Sequence, residues 1–413
     1  MQNYTKWLNK RYGLSNKREM SNISKIGLLY MTKRKCKNID ITNIEFIEFC
    51  IADWFDHKST KDKNKQSIRK LFIRFPDFHS LALYLSDSIK TESLCLPPVH
   101  IRHIIDKANG KHRDLVLESP IQQIYNYICY HALEEVTCCI GHYQIHSDGR
   151  GPIDAVRYIQ SWMNEPSTNY CIKADISKCY DSISRENMMW WLNKHIKNNK
   201  LLWLINELLL TKPNGGLGIG SRLSIRLSAL YLSDIYHCVE DLHRFSKRVT
   251  AYITHQLFYL DDIFIFGPSS KYLIKMFALI RRFVDASQLR IKDNWAIIDL
   301  RHCNKNACLD VLGYKVYRDH IVIRRRNYKK TKKSLNKFKE TPTLSHAQSY
   351  VAYYGQYIQH SDHMRFQQKY NSCYYWKKAR KEISKCTRQQ NLLISSQPYL
   401  LPKQMAILGT QFA

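Results

Sequence analysis

The sequence predicts an α+β fold, and three observations carry the prediction. Apolar residues recur at helical spacing through the first 95 positions, short apolar strand-like runs alternate with helices beyond residue 170, and the chain turns basic and helical after about residue 322. With 413 residues, 44% of them apolar, the chain exceeds what one compact core serves well and is expected to divide into two or three lobes.

In order along the chain, Phe46, Phe49, Cys50 and Trp54 mark one helix and the apolar stretch from Phe72 to Leu85 marks more, with a Lys-rich polar linker from Asp56 to Lys65 between them. Such a charge run reads as a solvated loop or as a contact to a nucleic-acid backbone. Pro97-Pro98 marks a boundary. Asn109-Gly110 supplies a turn with positive φ between a strand from Ile101 to Asp106 and another from Arg113 to Leu117. Pro120 opens a helix through Tyr125, Ile128 and Leu133, and the loop Gly149-Arg150-Gly151 precedes another from about Ile153 to Trp162.

Charge narrows the partners. The 64 Lys and Arg against 35 Asp and Glu leave a formal net charge of +29, enough to cover a polyanion, so nucleic acid is the expected partner. A basic membrane-surface protein is the alternative, but no apolar run of 18 residues occurs and the opening residues lack the apolar stretch of a secretion signal, so a soluble, cytoplasmic protein without a membrane partner is expected. The 13 cysteines form no Cys-x-x-Cys pair and read as reduced thiols, with Cys138-Cys139 expected to pack in the interior. Neither His142 with His146 nor His302-Cys303 completes a zinc set.

Two acids, Asp261 and Asp262, stand between the apolar runs ending at Tyr259-Leu260 and beginning at Ile263-Phe264. One reading is a hairpin turn, where Asp is favoured. The other is a carboxylate cluster for divalent metal, because adjacent acids in an apolar hairpin are costly without a partner. A second strand-like run, Cys171 to Ala174, leads into Asp175. Three carboxylates on one sheet edge suit two Mg²⁺ ions and in-line phosphoryl transfer.

Tyr259-Leu260-Asp261-Asp262 resembles the YxDD box of reverse transcriptases, and Asp175-Ile176-Ser177-Lys178-Cys179-Tyr180-Asp181 is similar to the box holding their first metal-binding aspartate. Gly216-Leu217-Gly218-Ile219-Gly220-Ser221-Arg222-Leu223-Ser224 resembles the glycine-rich element between the two, although Gly215 replaces the usual Gln, Gly218 and Ile225 the usual Pro, and Ala229 the usual Asn. These glycines are expected to let the backbone approach nucleic acid. Leu223, Leu227, Leu230 and Tyr231 should then form one face of a helix.

The resemblance covers about residues 96 to 370. It implies a right-hand polymerase: a helical N-terminal extension (1–95), fingers (96–165), a palm of antiparallel sheet and helices (166–320), and a helical thumb and tail (321–413). It implies Asp175, Asp261 and Asp262 as catalytic residues, with the Ile176 backbone joining them at two Mg²⁺ ions, for which Mn²⁺ is a substitute. Lys111, Arg113, Tyr180, Gly220, Ser221 and Lys292 would bind the nucleotide, Tyr180 as the gate against a ribose 2′-hydroxyl and Lys292 as a proton source for pyrophosphate. Arg113, Lys111 and Lys292 also read as solvated charge, and Tyr180 as a core tyrosine.

The nucleic-acid track would run through Arg150 and the turn at Gly313, which resembles a primer grip, to Arg324, Arg325, Arg326, Lys329, Lys330 and Lys333. Nine cations fall in the sixteen residues from Arg324 to Lys339; they repel one another unless phosphates neutralise them, and one solvated helix face is the alternative. Ser349 to Tyr357 and His360-Ser361-Asp362 resemble the thumbs of bacterial reverse transcriptases from antiphage defence systems and diversity-generating retroelements. The partners implied are an RNA template, expected to be a noncoding RNA, a cDNA product and dNTPs, with a protein partner or second copy left open. A noncoding-RNA gene beside this one would favour defence, and a template and variable repeat pair would favour the retroelement. A scaffold that binds nucleic acid without polymerising is the remaining alternative. No integrase, maturase zinc motif or RNase H acid set is visible, so template removal is expected to need another enzyme.

Overall fold

The computed structural model describes residues 35–395 except 64, 106–109, 111, 147–149, 213–215, 247–251, 302–307, 357, 359–360 and 362. Its elements alternate between helix and sheet as an α+β chain. Four helices come first: α1 (Ile44–Asp56), the single turn α2 (Thr60–Lys63), α3 (Gln66–Arg74) and α4 (Phe78–Lys90). Asn43 caps α1 and Asp77 closes a capping box on α4. The expected linker therefore contains a helical turn, and Lys58 within it is not a loose solvated cation: its Nζ donates to Gln123 Oε1 at 2.6 Å.

A two-stranded hairpin follows, β1 (His100–Ile105) and β2 (His112–Leu117), with Gly110 at φ +74° in its turn. Helix α5 (Pro120–Ala132) starts with Pro at its first turn and a Ser119 capping box. Trp54, Leu81, Leu85, Ile124 and Ile128 share one buried core with the helices beneath the sheet, so the N-terminal helices are built onto the body of the protein.

The central sheet has the order β3-β5-β6-β4-β7, formed by β3 (Gln144–Ile145), β4 (Tyr170–Asp175), β5 (His255–Tyr259), β6 (Asp262–Gly267) and β7 (Ala296–Asp299). All neighbours are antiparallel except β3 and β5. Helix α6 (Pro152–Met163) lies against one face with Val156, Ile159 and Trp162. Helices α7 (Cys179–Ser182), α8 (Arg185–His195), α9 (Asn199–Leu210), α10 (Arg222–Ser246) and α11 (Ser270–Ala286) complete the layer behind it. On α10, Leu223, Leu227 and Leu230 are buried as the helical spacing requires.

A three-stranded sheet, β8 (Leu309–Val311), β9 (Tyr314–Val316) and β10 (Ile321–Ile323), leads to α12 (Arg325–Glu340), α13 (Leu344–Gln356), α14 (Met364–Tyr370) and α15 (Ser372–Ser395). The last four helices bury their own cluster around Leu335, Phe338, Tyr350 and Tyr354. Among the described residues the cysteines are free thiols; Cys138 is exposed on a 3-10 turn, not packed as the sequence led us to expect. His302-Cys303 lies outside the described residues. No described helix is long and apolar enough to cross a membrane.

Candidate active site

Short apolar runs buried on both faces make β4, β5 and β6 interior strands of the sheet. Phe258, Ile263, Phe264, Ile265 and Phe266 are within 1% of full burial, and the acids stand where that apolar run is interrupted. In the β4–β6 ladder Asp175 lies directly opposite Asp262, a pairing that puts Cα atoms about 4.5–5.5 Å apart. The Ile176 N–H donates to the Asp261 carbonyl at 3.0 Å, so all three acids meet at one sheet edge. Between the strands, Leu260 holds φ at +51°, a left-handed conformation costing a branched side chain about 1–3 kcal/mol. Its N–H is fixed by the Ile145 carbonyl at 3.0 Å.

The opposite side of Asp175 is held by the loop before β7. The Lys292 N–H donates to the Asp175 carbonyl at 2.9 Å, and Lys292 Nζ reaches Asp175 Oδ2 at 2.5 Å. Burial, then the Asp175 charge, raises the Asp261 pKa. Burial, then Asp261 and Asp175, pushes Asp262 up to about 6, against the opposing charges of Lys173 and Lys292. Massed, desolvated carboxylates of this kind prefer a proton or a cation beside them.

Asp175 Oδ1 is buried without a hydrogen-bond partner. Among the described residues no ready-made cage of three metal-binding side chains exists; Lys292 instead sits on the other oxygen of Asp175. The orphaned oxygen and the crowded acids fit a divalent ion. Ile176 is fully buried, its N–H given to the Asp261 carbonyl.

Just over half of the 413 residues, 105–316, match the family model described as reverse transcriptase (RNA-dependent DNA polymerase). The chain belongs to the reverse transcriptase family. The matched segment includes the hairpin strand β2, the glycine box and all three acids. The chain is also similar to an uncharacterised 91 kDa protein in cob intron from Schizosaccharomyces pombe, at 29% identity over 166 residues, 38% of this chain and 20% of the relative. It thus spans about a fifth of that curated relative's length.

Around the three acids the other expected residues divide. Tyr180 is half-buried beside Asp261, its hydroxyl bonded to Ser228, and burial raises its pKa. Arg113 is exposed on β2, while Lys111 lies outside the described residues. Gly220 holds φ at +110°, and Ser221 after it is 3% exposed with an unpartnered Oγ. Arg150 donates to the His142 carbonyl.

Two glycines of the box stand tight against protein. A Cβ at Gly216 would stand 2.9 Å from the Tyr180 carbonyl oxygen, and one at Gly218 would stand 2.9 Å from Val116 Cγ2. Gly218, where the family pattern has Pro, is small because the hairpin presses on it.

Farther out, the Arg324 N–H bonds the Gly313 carbonyl at 2.9 Å, and the Arg324 side chain pairs with Asp310, leaving it less open to phosphate than expected. Arg325, Arg326, Lys329, Lys330 and Lys333 line one open groove along α12. The sequence reading missed Lys173, Glu118 and Lys212. The two lysines sit in strand-like or turn sequence where nothing local marks a partner, and only Asp310, Asp262 and Glu118 give them their roles.

Proposed function

We propose that this chain is an RNA-directed DNA polymerase that adds dNTPs to a 3′-hydroxyl, with fingers at 96–165, a palm at 166–320 and a thumb and tail at 321–413. The carrying observation is the convergence of Asp175, Asp261 and Asp262 on one sheet edge. Bound divalent ions, Mg²⁺ or in its place Mn²⁺, would activate the 3′-hydroxyl and neutralise charge on the departing pyrophosphate. Asp175 and Asp261 would hold both ions, and Asp262 would support the second box, Tyr259-Leu260-Asp261-Asp262. Lys292 would exchange its bond to Asp175 for the pyrophosphate and donate its proton there. Tyr180 would meet the sugar edge of the nucleotide, where a 2′-hydroxyl collides with the ring. Arg113 and Lys111 would grip the triphosphate, and the α12 groove would track the duplex backbone with Arg150 and the Gly313 turn.

We further propose that the template is a dedicated noncoding RNA copied in antiviral defence; the N-terminal helices packed into the core and the altered glycine box support that reading over a mobile element. A second reading, service within an intron, is favoured by the cob-intron setting of the Schizosaccharomyces pombe relative. One experiment tests both levels. Purified protein is assayed for Mg²⁺-dependent dNTP incorporation on RNA, and the nucleic acid that copurifies is sequenced for wild type and Asp261→Ala. Incorporation by wild type, with RNA retained but cDNA lost in the variant, is expected. Absence of incorporation by wild type would leave the non-polymerising scaffold. Intron RNA or a variable repeat in the reads would replace the defence setting.

A further inference from the structure

We infer that Glu118 and Lys212 form a buried latch that positions the β1–β2 hairpin against the glycine box and so sets the nucleotide site; this rests on the polymerase reading above. The Lys212 ammonium donates to Glu118 Oε1, with only 4% and 6% of the two side chains exposed. The other oxygen of Glu118 accepts from Asn126 Nδ2 at 2.7 Å, and the Glu118 carbonyl accepts from Gln123 Nε2 at 2.8 Å. Glu118 is thereby anchored to α5 at the very end of β2, and Lys212 at the end of α9, just ahead of the box.

The latch closes over two further contacts. The Val116 N–H donates to the Ile219 carbonyl at 3.0 Å, within a parallel bridge between Leu115 and Ile219. The Val116 side chain and the Lys212 stem fill the space over Gly218, where an added Cβ would lie 2.9 Å from one and 3.3 Å from the other. At its other end the box is tied to the acids: the Leu217 N–H donates to the Tyr180 carbonyl at 2.9 Å. A continuous chain of contacts therefore runs from Glu118 through Lys212, Gly218 and Leu217 to Tyr180. A buried ion pair is a poor device for stability but a directional one, because each charge accepts only the partner that satisfies it. Here it specifies how β2, which carries Arg113, sits relative to Tyr180, the two expected to touch opposite ends of a nucleotide.

The test uses the full chain with Glu118→Gln, Lys212→Arg and the double variant Glu118→Gln/Lys212→Met, which removes both charges. Hydrogen exchange at the Val116 amide, steady-state dNTP kinetics and RNA–DNA duplex affinity are measured together. In Glu118→Gln and in the double variant, Val116 exchange should quicken at least about tenfold while the β6 amides stay protected. The KM for dNTP should rise about tenfold with kcat and duplex affinity changed less than about threefold. Lys212→Arg, which keeps the charge, should recover most of both. Unchanged Val116 exchange in both charge-removing variants overturns the latch, whether or not the chain polymerises. Faster exchange with an unchanged KM, or a loss of kcat and duplex affinity in step with β6 protection, overturns the positioning role. A wild type that incorporates no dNTP while Val116 responds as expected sinks the polymerase reading and the positioning role with it, and leaves the latch as a purely structural clamp.

Discussion

Two antiparallel hairpins carry the proposed chemistry, and they are built in opposite ways. The β5–β6 hairpin lies inside the five-stranded sheet, flanked by β3 and β4, with most of its residues buried. The β1–β2 hairpin stands almost wholly exposed, with Ile105 59% accessible, and joins the body through the bridge to Ile219 and the Glu118–Lys212 pair. A lone two-stranded hairpin is marginal in water. On the proposed function, the difference separates two tasks. Carboxylates meant to share ions need a platform whose geometry the core dictates, whereas an arm that closes on a substrate needs few contacts and specific ones.

The largest effect that sharpens this contrast is expected from Asp261→Ala. Primer extension should fall at least about a thousandfold, since the platform's charge is lost. Circular dichroism should show the fold retained. Core truncation comes next. Phe264→Ala, in a fully buried β6 position, should cost about 3–5 kcal/mol in urea unfolding. By contrast, Ile105→Ala on the exposed hairpin should stay within about 0.5 kcal/mol. Equal costs would erase the distinction between platform and arm.

Proton linkage gives a smaller effect with a definite sign. The folded-state pKa of Asp262, pushed up from 3.8 to about 6, lies above its unfolded value, so the metal-free folded chain binds that proton more tightly. Its stability therefore falls as pH rises from about 4 through 6. Asp262→Asn should stabilise the chelator-treated protein by about 2 kcal/mol at pH 8 and by almost nothing at pH 4, read from thermal midpoints. A variant equally stabilised at both pH values would remove the charge explanation. The smallest expected effect lies away from both hairpins. Replacing Lys329, Lys330 and Lys333 by Ala should lower the salt slope of duplex binding by about three, leaving unfolding nearly unchanged.

Much of this was legible in local pattern. The two apolar runs within residues 258–266, the acids set between them, the Asn109-Gly110 turn signal and the basic run from Arg324 each depend on neighbours within a few residues, and the structure places strands, a turn glycine and an exposed groove accordingly. Where the sequence reading went astray, distance along the chain was the cause. No local pattern marks the press of Tyr180–Asp181 on Gly216 or of Val116 on Gly218. Arg324 looked like one more free cation until Asp310 met it. Cys138 looked buried because helical periodicity does not register a 3-10 turn.

The sequence by itself determined which residue types were available for metal chemistry and on what kind of element each would sit, because backbone propensity and side-chain period are local. Only tertiary structure decided that Asp175 faces Asp262, that Lys292 occupies Asp175, and that Glu118 finds Lys212. Those partnerships join segments remote in sequence, and strand register together with shared burial, which no local window contains, selects them.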